Sequence, residues 1–281
     1  MYKNILLGTD GSPAADIAAD YAVWFAHKLK ARLAALYVTD IRILEGPLLS
    51  DLSGALGAQQ YSALLPKLQA IQKEKADMIL AAVARKAATH HVACKVTHET
   101  GNLVQTLLDH ERQADVVVLG QRGEHAKWSG GHLGSGVERV VRASVKPCLI
   151  TPEKFRNISH LLLAYDGSTE SHKAMRAGLK LAGDLGAKVT IITVCQREHE
   201  ETASQFLQEA HEKALAQNLT CAAQLLHGVP ETEILEFAGK TEVDLIVMGA
   251  YGHTRIRELI LGSTTSHVIR KASVPVLLIR G

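Results

Sequence analysis

The chain has 281 residues, the length of one large or two ordinary domains, and its 47% apolar and 21% charged residues fit a globular fold with a substantial core. Lys and Arg (31) nearly balance Asp and Glu (29), and no long run of one sign occurs, which argues against electrostatically driven binding to nucleic acid or a membrane surface. No apolar run reaches spanning length, and the four scattered cysteines make no Cys-x-x-Cys, so reduced thiols in a cytoplasmic protein are expected.

Taken in chain order, Met1-Tyr-Lys-Asn-Ile-Leu-Leu is too short an apolar stretch for a secretory signal, and residues 5–7 read as a strand. Ser12-Pro13 opens a helix, with serine as cap and proline at the first helical position. Ala18, Ala22, Phe25 and Leu29 then form one apolar stripe at helical spacing. Further strands are predicted at 33–38, 93–98, 116–119 and 148–150.

Beyond residue 157 the pattern starts again. Asn4-Ile-Leu-Leu-Gly-Thr-Asp10-Gly11-Ser12 recurs as His160-Leu-Leu-Leu-Ala-Tyr-Asp166-Gly167-Ser168, and at this offset ten of the 37 positions from 2 to 38 are identical. Ala114-Asp-Val-Val-Val-Leu-Gly120 matches Val243-Asp-Leu-Ile-Val-Met-Gly249, and Pro147-Cys-Leu-Ile matches Pro275-Val-Leu-Leu. The stripe returns as Ala174, Gly178, Leu181 and Leu185, and strands are expected at 189–194, 220–226, 245–248 and 276–279. The chain is therefore read as two copies of one domain, 1–152 and 157–281.

Continuous apolar strands alternating with helices predict an α/β fold. Each repeated, doubly wound domain should carry a five-stranded parallel sheet with helices on both faces. The copies are expected to pair about a pseudo-twofold axis through their final strands, 147–150 and 275–279; whether two chains then form a homodimer is left open. Copy one has 63 residues from Val38 to Gly101 where copy two has 34 from Val194 to Gly228. The extra segment, about 41–66, reads either as a surface loop with a longer helix or as a lid or interface element.

Most of the legible chemistry lies in residues 249–265. The strand 245–248 leads into Gly249-Ala-Tyr-Gly252, and nine residues later comes Gly262-Ser263-Thr264-Thr265, followed by a helix. A strand, a glycine turn and a helix opening on hydroxyls suit a phosphate: glycines let the backbone approach, and the first helical N–H groups donate. In a doubly wound sheet, Asp166 and Val194 end neighbouring strands on the same edge. The carboxylate can take hydrogen bonds from a ribose or an adenine amine, and the Val194 backbone can meet a base edge. No lysine follows the last glycine, as a P-loop requires, and Gly131-x-x-Gly134-x-Gly136 lacks the order of a dinucleotide fingerprint. Copy one keeps Asp10, Val38, Gly120, Gly123, Gly134 and Ser135, but ten residues separate Gly123 from Gly134, and Gly136 stands where copy two has Thr264. Its extra glycines, Gly130 and Gly131, can absorb the insertion as a bulge, or its site is degenerate.

The 14 histidines show no zinc spacing, and no Ser–His–Asp triad can be assembled. His90-His91 closes a long helical stretch, a usual place for imidazoles. His253 and His125 each follow a site glycine and either approach phosphates or sit in solvent. Arg255, Arg257 and Glu258 read as the solvent side of the turn, or one arginine reaches a γ-phosphate.

Both copies resemble universal stress protein domains over nearly the whole chain, and Gly249, Gly252, Gly262 and Ser263 meet that family's Gly-x2-Gly-x9-Gly-Ser/Thr signature. The resemblance implies ATP or AMP, with Mg as an optional companion ion. Asp166 and Val194 would lie at the nucleoside and Gly249, Gly252, Gly262, Ser263 and Thr264 at the phosphates. Tyr165, His253 and Thr265 complete the candidate set. It further implies a cytoplasmic stress-response module that pairs through its last strands, with neither nucleic acid nor membrane as partner. The expected function is nucleotide binding rather than turnover. The alternatives are a slow ATPase or adenylyl-transferring enzyme and a nucleotide-independent scaffold.

Overall fold

Each copy starts with the same strand, turn and helix, and local chemistry accounts for it. The structure is a computed structural model describing residues 2–41, 58–123, 134–250 and 261–280. Copy one runs β1 (Asn4–Thr9), α1 (Pro13–Leu29), β2 (Arg32–Asp40), α2 (Ala58–Thr89), β3 (Cys94–Gly101), α3 (Leu103–Glu111), β4 (Val116–Gly120), α4 (Ser135–Ala143) and β5 (Cys148–Thr151). Copy two runs β6 (His160–Ala164), α5 (Thr169–Leu185), β7 (Lys188–Cys195), α6 (Glu200–Leu215), β8 (Cys221–His227), α7 (Pro230–Lys240), β9 (Leu245–Gly249), α8 (Ser263–Lys271) and β10 (Val276–Ile279).

The repeated Asp-Gly-Ser is the hinge between first strand and first helix. Asp10 Oδ1 accepts the Ser12 N–H at 2.9 Å and Asp166 Oδ1 accepts the Ser168 N–H at 3.0 Å, closing a tight turn in each copy. Gly11 and Gly167 sit at φ 76° and 77°, the left-handed region that a side chain disfavours. The serines then cap: Ser12 Oγ accepts from Ala15 N–H and Ser168 Oγ from Ser171 N–H, each at 3.2 Å. Ser168→Ala is expected to lower stability by about 1 kcal/mol, read as a shift in urea midpoint at constant slope. A loss below a few tenths would mean that Thr169 or water replaces the cap.

The strands form one ten-stranded sheet in the order β3-β2-β1-β4-β5-β10-β9-β6-β7-β8. All pairings within a copy are parallel, as the continuous apolar runs require. The separate sheets expected from sequence are thus joined: β5 and β10 pair antiparallel, with Leu149 opposite Leu277 at the centre of the register. Two apolar layers cover the sheet. One gathers residues of α1, α2, α5 and α6, the other residues of α3, α4, α7 and α8, and both layers extend through the two copies.

Polar ties cross the same seam. Arg280, just past β10, donates through Nη1 to the carbonyls of Val141, Arg142 and Ser144 at the end of α4, where a helix presents unpaired acceptors. Gln121, just past β4, donates from Nε2 to the carbonyl of Ile269 in α8. The connecting segment is pinned by Tyr21, whose hydroxyl donates to the Lys154 carbonyl at 3.3 Å and accepts the Arg156 N–H at 3.1 Å.

Two sequence expectations change. β6 ends at Ala164, so Asp166 belongs to the turn beyond the strand rather than to its last position. Of the extra segment in copy one, residues 42–57 lie outside the described residues, and the remainder joins α2, which is 32 residues long with Pro66 inside it.

Candidate functional site

In copy two the second strand lies on one side of β6 and the fourth on the other, so the chain reverses its direction of travel across the sheet at the β6–β9 pair. Such a switch point leaves a crevice at the carboxyl ends of the strands. A cavity of about 260 Å³ opens there, lined by Ala164, Tyr165, Asp166, Ser171, Ile192, Val194, Pro230, Ile234, Met248, Gly249, Gly262, Ser263, Thr264 and Thr265.

Its walls divide by chemistry. Ile192 and Val194 come from alternate positions of β7, Met248 from β9 and Ile234 from α7, which makes one flank apolar. The other end is the start of α8. Its first intrahelical bond runs from Ser266 N–H to the Gly262 carbonyl at 2.8 Å, so the N–H groups of Ser263, Thr264 and Thr265 have no acceptor inside the helix. Gly262, the cap residue, offers no side-chain hydrogen bond to them. An apolar slot leading to a helix N-terminus suits a flat, partly apolar group joined to an anion.

A Cβ on Gly249 would lie 3.1 Å from the backbone carbon of Glu170 at the start of α5, so a side chain there requires that backbone to give by a few tenths of an ångström. That close approach brings the end of β9 against the Asp166 turn.

Eight of the residues expected from sequence line this cavity: Tyr165, Asp166, Val194, Gly249, Gly262, Ser263, Thr264 and Thr265. Gly252, His253, Arg255, Arg257 and Glu258 lie outside the described residues. Several lining residues have their polar groups engaged within the protein. Thr265 Oγ1 donates to the Gly249 carbonyl at 3.1 Å and is buried. The Tyr165 hydroxyl meets His172 Nε2 at 2.9 Å, and burial first, then the charges of Glu209 and Asp166, pushes its pKa up to about 12. Thr264 Oγ1 donates to Glu231 Oε2 at 3.0 Å. Sequence reading missed Ala164, Ser171, Ile192, Pro230, Ile234, Met248 and Glu231. Alternation along β7 from Val194 points to Ile192, and Pro230 two residues after Gly228 marks the start of α7.

Copy one keeps the frame, with leucines along it. Gly134 N–H donates to the Gln121 carbonyl at 3.2 Å, as Gly262 N–H does to Ala250 at 3.3 Å, so Gly120, Gly134 and Ser135 occupy equivalent places around β4 and α4. A Cβ on Gly8, the counterpart of Ala164, would stand 2.7 Å from Leu119 and 2.9 Å from Leu107. A Cβ on Gly136 would stand 3.0 Å from Leu103. Leucines thus lie on the ground that in copy two borders the cavity. The Asp10 carboxylate sits beside Gly123, 2.9 Å from where a Cβ there would be, and Val38 packs with the apolar layer below. His125, Gly130 and Gly131 lie outside the described residues.

Elsewhere, all four cysteines are free thiols, and burial pushes Cys148 up to about 12. Among the described residues no group of three His, Cys, Asp or Glu side chains is placed to hold a metal ion. No described helix is long and apolar enough to cross a membrane. A larger depression of about 670 Å³ over the start of α6, lined by charged and polar side chains such as Arg197, Glu198, Glu200 and Glu201, is open to solvent.

The model of the universal stress protein family matches this chain twice, over residues 1–152 and 157–280. The chain is 38% identical over 288 residues to universal stress protein Slr1230 of Synechocystis sp., covering 99% of this chain and 100% of that protein. It is 26% identical to universal stress protein Mb2019 of Mycobacterium bovis, over 99% of this chain and 95% of the relative. In fold it is similar to the crystal structure of a universal stress protein from Archaeoglobus fulgidus, with a TM-score of 0.75 and 23% identity across 99% of this chain and 98% of that one. The doubled domain, the glycine-framed cavity and the full-length likeness agree: this chain belongs to the universal stress protein family.

Proposed function

We propose that this protein binds ATP or AMP in its second domain and acts as a cytoplasmic, nucleotide-responsive stress protein rather than a turnover enzyme. The observation that carries the reading is the cavity between β6 and β9. Its apolar flank of Ile192, Val194, Ile234 and Met248 accepts a base, and the free N–H groups opening α8 accept phosphate. Asp166, beside the slot, takes the ribose or base edge. Mg is an optional companion of the phosphates.

A binding role fits how the proton-bearing groups of the cavity are engaged. Tyr165, Ser171 and Thr265 each hydrogen-bond within the protein, and one oxygen of Asp166 holds the Ser168 N–H. None is poised to activate water in this arrangement. The leucines over Gly8 and Gly136 support a first domain that has kept the frame as a structural partner. The antiparallel β5–β10 seam supports an intramolecular pseudo-dimer centred on Leu149 and Leu277.

Nucleotide extracted from the purified protein and counted against chain concentration tests this, together with ATP and AMP titrations by calorimetry. One equivalent per chain is expected. Two would reopen the first domain, and no binding of either nucleotide would overturn the function.

A further inference from the structure

The geometry points to Glu231 as the residue that sets how much phosphate charge the second-domain site accepts, an inference that rests on that site being a nucleotide site. Thr264 Oγ1 donates its hydrogen to Glu231 Oε2 at 3.0 Å. A hydroxyl has one proton, so Thr264 has only lone pairs left for an incoming phosphate. The anion-binding turn of α8 therefore offers its N–H groups with a carboxylate held directly behind its second residue.

Glu231 is the second residue of α7 and lies in the positive field at the start of that helix. Pro230 fixes this start, and both Pro230 and Ile234, one turn on, line the cavity. The start of α7 is therefore part of the site wall.

The repeat supplies an internal comparison. The strands β3 and β8 occupy the same register against β2 and β7, which places Val104 where copy two has Glu231. Gly136 stands where copy two has Thr264, two residues past each cap glycine. Both members of the pair are absent from copy one, and both are present in copy two, where Thr264 lines the cavity. A purely structural tether would have the same use in either copy. A carboxylate beside a phosphate turn has a specific effect: it opposes each additional negative charge on the ligand and leaves the contacts of base and sugar unchanged.

The test is a set of ATP and AMP titrations of the full chain in EDTA, since a divalent cation would screen the carboxylate. Glu231→Gln keeps an acceptor for Thr264 and removes the charge, so it should tighten ATP about tenfold more than AMP. Thr264→Val releases the carboxylate from its tether and should change the ratio of the two affinities in the same direction but less. Glu236→Gln makes the same net-charge change on the exposed side of α7, where Glu236 pairs with Lys240 at 2.7 Å, and should leave the ratio as in the wild type. An ATP-to-AMP ratio in Glu231→Gln within about twofold of wild type overturns the inference. So does an equal change in Glu236→Gln, which would mark a bulk-charge effect. Binding with an unchanged ratio removes this inference alone; no binding by any of the proteins removes the nucleotide reading with it.

Discussion

Leu277→Ala is expected to lower the stability of the whole chain by about 2–5 kcal/mol, and to uncouple the unfolding of its two domains. Leu277 and its partner Leu149 are each 2% exposed and face one another across the only antiparallel step in the sheet. Both belong to the layer shared by α1, α2, α5 and α6, while Cys148, Ile150, Val276 and Leu278 point into the opposite layer. Truncation therefore opens a cavity where the two cores meet. Surrounding side chains have little freedom to fill it, because the backbone on either side is fixed by strand pairing. The junction has three register pairs, against eight for β2–β3, so few contacts carry the coupling. Urea unfolding followed by far-UV circular dichroism, alongside fluorescence of Trp24 in α1, reads both quantities. Wild type should give coincident transitions, and Leu277→Ala an earlier midpoint with the two probes separated. Leu215→Ala, on the outer side of α6 and 49% exposed, is the control and should stay within about 0.5 kcal/mol. A loss of the same small size for Leu277→Ala would mean that the seam is not what holds the copies together.

What could be read ahead of the structure was whatever depends on neighbours in sequence. Ser12 and Ser168 act as caps, Pro13 stands at the first helical position, and the stripes Ala18–Ala22–Phe25 and Ala174–Gly178–Leu181 are buried, because helix starts and helix faces are set within a turn or two of chain. The repeat was legible for the same reason: it is a comparison of strings. The glycine spacing placed the cavity at the correct edge, since strand–turn–helix order alone fixes which end of the sheet that turn occupies.

The remainder depended on partners far away in the chain. The strands β5 and β10 are buried throughout, and the sequence pointed to them as the contact between the copies, but it did not give the register that joins the two sheets into one. Thr265 and Thr264 are adjacent hydroxyls of similar appearance in the sequence, yet one is tied to the Gly249 carbonyl and the other to Glu231. Tyr165 beside Asp166 lines the cavity, but the sequence did not show that its hydroxyl is engaged by His172. In copy one the altered spacing was visible, while the leucines of α3 and β4 that approach Gly8 and Gly136 were not. Such convergence is a property of tertiary register.

Gly262→Val is expected to weaken ATP binding about 100-fold, the equivalent of losing roughly two charge-assisted hydrogen bonds, with a stability change under about 1 kcal/mol. The two effects separate because of the backbone at this position. Gly262 has φ −57° and ψ 147°, a conformation open to any residue, so glycine is not needed there for its freedom. Its N–H bond to the Ala250 carbonyl at 3.3 Å survives substitution, and the Gly262 carbonyl still accepts from Ser266. What a branched side chain changes is space at the cavity wall immediately before the N–H groups of Ser263 and Thr264. Gly249→Val would be a poorer probe, because its Cβ meets the Glu170 backbone at 3.1 Å and the substitution would mix a packing change with any loss of binding. Gly134→Val is the informative companion. Gly134 is the same cap in the first domain, with φ −56° and ψ 131°, and there the leucines already crowd the site. Calorimetric titration with ATP, paired with a thermal melt of each variant, should show Gly262→Val folded and nearly blind to ATP, and Gly134→Val folded with wild-type affinity. Wild-type affinity in Gly262→Val would place the phosphates away from α8. Equal losses in the two variants would mean that both domains bind, and that the leucines of copy one yield to the ligand.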